Sequence, residues 1–456
     1  MTRFDDLIQP DRGQPAHAIE VIAPADHPGW LARQSPPVRA MVTAQGFRGK
    51  PSCHAVLPGN GEDWRVVAVA EGTTPWSLAE LPAALPAGTY RVEGLEGGEL
   101  GWLLGQYRFD RYRRADDGDA RILLTRNVAG IAEAIALAGA TAQVRDLVNT
   151  PAADCGPADL EAAATALAKR HGGAVTVRRG DELEQGYPMI HAVGHAAARD
   201  RAPRLIELTW GRPGDPRIAL VGKGVSFDTG GLDIKPSSGM RLMKKDMGGA
   251  AHALALAELV MAAKLPVRLH LLIPAVENAI SGDAFRPGDV LRSRRGLTVE
   301  NTNTDAEGRL ILADALTRAA EEKPELILDF ATLTGAARVA LGPDLPPLFS
   351  DDEALARDLL AAGVAAHDPL WRLPLWDGYD ELLKSDIADM VNAPDGGFAG
   401  AITAALFLRR FVPAGIPWAH LDVFAWRPTA KPGRPKGGDA YGLRAAFVVL
   451  KQRYPA

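Results

Sequence analysis

The chain is poor in cysteine, short of aromatic residues and close to neutral, and each shortage removes a class of protein. Its two cysteines in 456 residues, Cys53 and Cys155, give neither a disulfide framework nor a metal-ligand spacing, which suits a reducing cytosol. Lys plus Arg total 51 against 56 for Asp plus Glu, a net charge of −5. That mild acidity argues against a dedicated nucleic-acid binder. No apolar run approaches the ~18 residues of a membrane span, and the opening MTRFDDLIQP has no signal-peptide core. A cytoplasmic protein with no membrane partner is therefore expected. The sequence also lacks H-E-x-x-H, paired C-x-x-C, G-x-S-x-G and G-x-x-x-x-G-K-[ST], the signatures of zinc-helix proteases, thiol sites, serine hydrolases and phosphate-loop enzymes.

What is present is ordinary in bulk, with 47% hydrophobic and 23% charged residues, and the length suggests more than one domain. Residues 1–128 read as a small α/β domain with a strand at Trp64–Ala70 and a short helix at Trp76–Leu85. The histidines there, His17, His27 and His54, are scattered and read as ordinary. An alanine-rich helix over 129–150, halted before Pro151, is expected to connect to a larger domain, 151–456. There the pattern alternates. Helices are predicted at Ala158–His171, Gly248–Lys264 and Leu310–Glu322, and strands at Ala174–Arg178, Arg204–Thr209, Ile218–Val221, Val267–Ile273, Leu297–Asn301 and Glu325–Phe330. Continuous apolar strands between helices predict an α/β fold with a mostly parallel mixed sheet flanked by helices. Ligands bind such sheets beyond the carboxyl ends of the strands.

Three short glycine-rich pieces crowd charge toward that edge: GKGVSFDTGGLDIKP at Gly222–Pro236, MKKDMGGAA at Met243–Ala251 and NTDAEGRL at Asn303–Leu310. Asp305 and Glu307 lie two apart, so an extended segment would aim both carboxylates at one point; the competing reading is a helix cap. Asp246, before the small-residue helix, has the same two readings. Lys223 follows an apolar strand between two glycines, where burial would favour a neutral, metal-binding amine. Lys244 and Lys245 read as surface charges, and Asp386 and Asp389 as structural. Arg309 suits bidentate grip of a small oxyanion. Clustered carboxylates with Asp228 among them repel unless cations lie between, and oxygen ligands plus one amine suit zinc, manganese or magnesium alike. A metal pair implies metal-assisted hydrolysis.

NTDAEGRL at Asn303–Leu310 and VGKGVSFDTGG at Val221–Gly231 resemble the signatures of the leucyl (cytosol) aminopeptidase family. RDLVNTP at Arg145, DFATLTGA at Asp329, AGAITAALFL at Ala399 and WAHLD at Trp418 extend the resemblance from about Gly105 to the C-terminus. The resemblance implies a metal-dependent aminopeptidase that takes peptides with a free N-terminus and assembles as a homohexamer. By it, Lys223, Asp228, Asp246 and Glu307 would ligate the tighter metal and Asp228, Asp305 and Glu307 the more exchangeable one. Lys235 would be the electrophile, and Arg309 would cradle a bicarbonate that shuttles the proton. Met243, Thr332, Leu333 and Gly335 match positions lining the first side-chain pocket. One departure is evident: after WAHLD the commonest members continue with an alanine- and glycine-rich run, whereas this chain reads VFAWRPTAKPGRPKGGDAYGLR over Val423–Arg444. That puts a preference for leucine in doubt. The alternatives are a narrow dipeptidase or amino-acid amidase, and a hexamer with a DNA-binding or scaffold role beside its peptidase activity.

Overall fold

The computed structural model describes residues 2–59, 63–113 and 120–455. They fall into two compact units, Met1–Ala142 with Thr429–Lys436, and Gln143–Pro428 with Gly437–Ala456.

In the first unit six strands, β1 (Ile8–Pro10), β2 (His17–Ile22), β3 (His54–Pro58), β4 (Trp64–Val69), β5 (Gly88–Glu93) and β6 (Arg121–Thr125), form one sheet in the order β1-β6-β5-β2-β4-β3. Only the β3–β4 pair is antiparallel. Ile19, Val66, Tyr90, Trp102 and Leu123 fill its core. The helix expected at Trp76–Leu85 shrinks to Leu81–Ala84. Its first half is a turn because the Ser77 hydroxyl accepts the Thr74 N–H at 2.9 Å and the Thr74 hydroxyl accepts the Trp76 N–H at 3.2 Å. Side chains of this kind compete with helical hydrogen bonds. The alanine-rich helix runs Ile131–Asn149, after one 3-10 turn in which the Asn127 side chain accepts the Gly130 N–H.

The second unit is built on β7 (Ala174–Arg178), β8 (Arg204–Trp210), β9 (Arg217–Gly222), β10 (Gly224–Asp228), β11 (Arg268–Asn278), β12 (Val290–Arg292), β13 (Thr298–Glu300), β14 (Leu326–Ala331), β15 (Pro347–Phe349), β16 (Trp371–Arg372), β17 (Met390–Val391) and β18 (Trp418–Asp422). Nine of these form one mixed sheet, ordered β16-β15-β18-β14-β9-β11-β8-β7 with β10 added on β11. Its centre, β18-β14-β9-β11, is parallel. The register sets Gly222 beside Phe330 and Ala331 beside Asp422, so the carboxyl ends of β9, β14 and β18 lie level. All of β14 and β18 is buried, as continuous apolar strands between two helical layers require.

Two expectations need correction. The strand expected at Leu297–Asn301 is β13, and it lies outside the main sheet, in a small sheet ordered β12-β13-β17. Only Val299 of β13 is buried, and β17 comes from some ninety residues further along the chain, beyond any local signal. The helix expected from Leu310 begins earlier and runs Glu307–Glu321. Glu307 is thus a first-turn residue, and its convergence with Asp305 arises from the turn into a helix rather than from an extended segment.

That helix is fixed in place by Asp314, which is fully buried. Its carboxylate accepts the Met189 and Ile190 N–H groups, at the start of the Pro188–Gly194 helix, and the Arg294 N–H, at 2.7–3.3 Å. Asp314→Ala would strand three backbone donors in the interior. Denaturant titration should show a loss of about 3 kcal/mol or more, and a change within error would show that the three donors find other acceptors.

Candidate metal centre

The acidic pieces meet at the carboxyl edge of the sheet, just past the ends of β9 and β14. Lys223 leaves β9 between Gly222 and Gly224, its N–H donating to the Phe330 carbonyl at 3.0 Å and its carbonyl accepting the Ala250 N–H at 2.8 Å. The Gly248–Ala262 helix can approach this closely only because the contact is made by glycines. A Cβ on Gly222 would lie 2.7 Å from Ala250 Cα, and one on Gly308 would lie 2.5 Å from Lys223 Cε. The Lys223 side chain, 3% exposed, reaches Asp246 at 2.7 Å and Glu307 at 2.9 Å, and donates to the Thr332 carbonyl at 3.1 Å.

Asp228 ends β10. Its Oδ1 accepts the Gly230 N–H at 2.9 Å and the Asn278 amide at 2.8 Å, while Oδ2 stands 2.8 Å from the Lys235 ammonium. Lys235 also pairs with Asp305. One oxygen each from Asp228, Asp305 and Glu307 lies within 4.8 Å of the others. Asp246 sits in the 3-10 turn Met243–Met247, its Oδ1 accepting the Thr332 hydroxyl at 2.7 Å. Neither Asp246 nor Asp305 caps its helix: Met247 and Ala306 occupy those positions. Thus all five expected metal ligands form one connected cluster, with Lys235 against it. Arg309, buried in the first turn after Glu307, donates from Nη1 to the Asn392 carbonyl at 2.7 Å, and its Nε has no partner among the described residues.

The electrostatics follow from burial and repulsion. Burial, and then the Asp228 charge, push the carboxyls of Asp305 and Glu307 up. Burial pulls the Lys223 ammonium down, yet Asp246, Glu307 and Asp228 outweigh it and hold the amine well above its usual range. Beside these carboxylates burial alone does not neutralise the amine, and to serve as a ligand it would have to give up its proton as a cation takes that place. Lys235 behaves likewise, with Asp228 and Glu307 overcoming its burial. Burial lowers the Arg309 guanidinium to about 10, so it stays charged at neutral pH.

The cluster fits divalent cations. Asp246 Oδ2 and Glu307 Oε1 are buried and make no aligned hydrogen bond among the described residues, although the Lys223 ammonium stands near both. Several carboxylate oxygens with one amine form a hard-to-borderline donor set suited to zinc, manganese or magnesium.

Of the expected pocket residues, Met243 opens the turn that carries Asp246, and Thr332 bonds Asp246 directly. Leu333 follows, its N–H on Asp422 at 3.0 Å, and Gly335 is exposed at the start of the Gly335–Leu341 helix. Asp389 accepts both the Thr298 N–H and its hydroxyl. Sequence reasoning missed Asn278, Thr304, Asp233 and Asn392. Thr304 donates to the Gly230 carbonyl at 2.6 Å and accepts the Asp233 N–H at 2.8 Å, while Asp233 accepts the Thr304 N–H at 2.7 Å. These bonds tie the Asp228 loop to the Asp305 loop. The Asn392 side chain accepts the Thr302 N–H and donates to the Asn303 carbonyl. Asn278 was visible as a polar residue closing an apolar strand; Asn392 left no signal near the motif.

A parallel-sheet edge where buried carboxylates converge around lysines defines a metal-dependent hydrolase of the α/β class. Residues 142–447 match the cytosol aminopeptidase family, catalytic domain, and residues 17–125 the M17 aminopeptidase, N-terminal domain. The chain belongs to the cytosol aminopeptidase family, whose members are peptidases. It is 42% identical over 439 residues to a probable cytosol aminopeptidase of Syntrophotalea carbinolica, covering 91% of this chain and 86% of that one. Among solved structures it is similar to the cytosol aminopeptidase of Coxiella burnetii, with 45% identity, a TM-score of 0.93 and coverage of 98% and 99%. It is also similar to the bottromycin maturation enzyme BotP in complex with Mn, with 34% identity, a TM-score of 0.86 and coverage of 96% and 100%.

Thr304→Val keeps the shape and removes the hydroxyl, leaving the Gly230 carbonyl and the Asp233 N–H unmet. Denaturant unfolding should show a loss of about 2–4 kcal/mol, and titration with manganese should show weaker binding. Unchanged metal affinity would mean that the two loops hold their positions without this tie.

Proposed function

We propose that the chain releases the N-terminal residue of peptides at two divalent ions. Lys223, Asp228, Asp246 and Glu307 would hold one ion, and Asp228, Asp305 and Glu307 the other. The observation that carries this reading is the meeting of the Asp228, Asp305 and Glu307 oxygens within 4.8 Å around two lysines at 2.7–2.9 Å from their partners. Bound ions would supply Lewis acidity at the scissile carbonyl and lower the pKa of the attacking water. Lys235, whose ammonium already faces Asp228, donates to the oxyanion that develops at that carbonyl. Arg309, whose buried Nε has no partner among the described residues, would hold a bicarbonate, which would supply a proton relay between water and the leaving amine. Met243, Thr332, Leu333 and Gly335 border the first side chain. The division into a small domain 1–128, a connecting helix 129–150 and a catalytic domain 151–456 belongs to this reading, as do a homohexamer and a cytoplasmic setting. No described helix is long and apolar enough to cross a membrane.

A narrower dipeptidase or amidase is the second reading. The segment after Asp422, with Phe424 and Trp426 beside the cluster, favours a restricted substrate range.

Metal analysis with hydrolysis of L-leucinamide, dipeptides and longer peptides separates the two. Asp228→Ala and Glu307→Ala should each lose metal and activity together. Lys235→Ala should keep its metal while kcat falls roughly 10²–10³-fold, because its donor acts in the transition state. A Lys235 variant without metal would place that lysine among the ligands instead.

A further inference from the structure

Lys244 and Lys245, both expected on the surface, are not equivalent to each other or to surface lysines. Lys244 donates to the Asn149 carbonyl at 2.5 Å and lies over the Trp426 ring. Lys245 is only 6% exposed. Its ammonium has a single partner among the described residues, the face of Phe424 with the ring centroid 5.0 Å away.

A buried cation left without an anion is costly, and native interiors pair such charges. Burial, helped by Arg338 and Lys223, pulls the Lys245 ammonium down to about 8, and the carboxylates that oppose this, Asp246 and Asp422, are both engaged elsewhere. Asp246 takes the Thr332 hydroxyl and faces Lys223. Asp422 accepts the N–H groups of Leu333 and Thr334, the Thr334 hydroxyl and the Arg338 guanidinium. Arg338 lies over the same Phe424 ring, 5.4 Å from its centroid. The result is an aromatic-walled corner of positive potential with one ammonium unspent. Lys245 shares its turn with Met243, and Arg338 shares its helix with Gly335; Thr332 joins the turn to the end of β14. Ala425, next to Phe424, and Thr332 both stand against Gly248, where an added Cβ would lie 2.4 Å from one and 3.0 Å from the other, so the corner adjoins the residues assigned above to the first side-chain pocket.

We infer that Lys245, against Phe424, receives the side-chain carboxylate of an N-terminal aspartate or glutamate, so that the enzyme selects acidic first residues. The inference rests on the aminopeptidase reading. A carboxylate brought to this ammonium forms a charge-assisted hydrogen bond where water is scarce, and an uncharged isostere leaves the lysine unpaired.

The test is kcat/KM of the manganese-loaded enzyme on L-glutamyl and L-glutaminyl p-nitroanilides, which match in size and lack a chain-end carboxylate. The wild type should favour glutamyl by about tenfold or more. Lys245→Met should erase that ratio, and Lys245→Arg should retain part of it. A wild-type ratio at or below unity, or one unchanged in Lys245→Met, overturns the inference, and the wild-type ratio decides alone if the variants fold poorly. If no anilide is cleaved, the peptidase reading fails by itself, and calorimetric titration with free L-glutamate and L-glutamine decides for Lys245. Tighter glutamate binding that is lost in Lys245→Met sustains its role; equal binding removes it.

Discussion

Four acidic side chains, Asp228, Asp246, Asp305 and Glu307, are gathered at one sheet edge, three of them buried. Their mutual repulsion is the constraint around which the larger unit is arranged. Like charges in a low-dielectric interior are tolerated only where positive charge lies between them. Lys223 and Lys235 supply that charge from opposite sides, one between Asp246 and Glu307, the other between Asp228 and Asp305. The arrangement is also one into which divalent ions fit, because the carboxylates that hold the ammonium groups are those with free oxygens to offer. Affinity for metal and tolerance of buried acid share one physical origin.

The chain around the cluster is shaped to bring it together. Glycines at 222, 249 and 308 let the strand, the following helix and the Glu307 helix close on Lys223, where any side chain would collide. Thr304 and Asp233 then join the two acidic loops across a sequence separation of seventy-one residues, and Asn278 fixes the orientation of Asp228. These bonds satisfy backbone groups that tight loops would otherwise leave unmet. Rigidity of this kind matters to a hydrolase of this family, since donors aimed in advance at developing charge need no rearrangement during reaction.

Around the centre, the segment after β18 walls the cluster with charge and aromatic surface. It carries Phe424, Trp426 and Arg427. Two of them take lysine charge onto aromatic faces: Phe424 receives Lys245 and Trp426 receives Lys244. Arg427 instead joins the Asp439 and Asp344 carboxylates. The wall beside the acidic edge is thus both charged and aromatic.

The sequence alone determined the chemistry and the class of fold. Continuous apolar strands between helices announced a mostly parallel sheet, and three glycine-flanked charged pieces announced the cluster at its edge, because both are local patterns. The strand expected at Ile218–Val221, which the structure extends to Arg217–Gly222, and the placement of Lys223 after it were legible for the same reason. Only tertiary structure decided what depends on distant partners. It put Thr298–Glu300 in a separate sheet beside Met390–Val391, made Glu307 a first-turn residue, and surrounded the Lys223 amine with carboxylates. It also turned Lys245, which has no local reason to be inside, into a buried cation facing Phe424. Periodicity and motif report what neighbours along the chain can do; charge balance and burial are set by residues that meet only after the chain has folded.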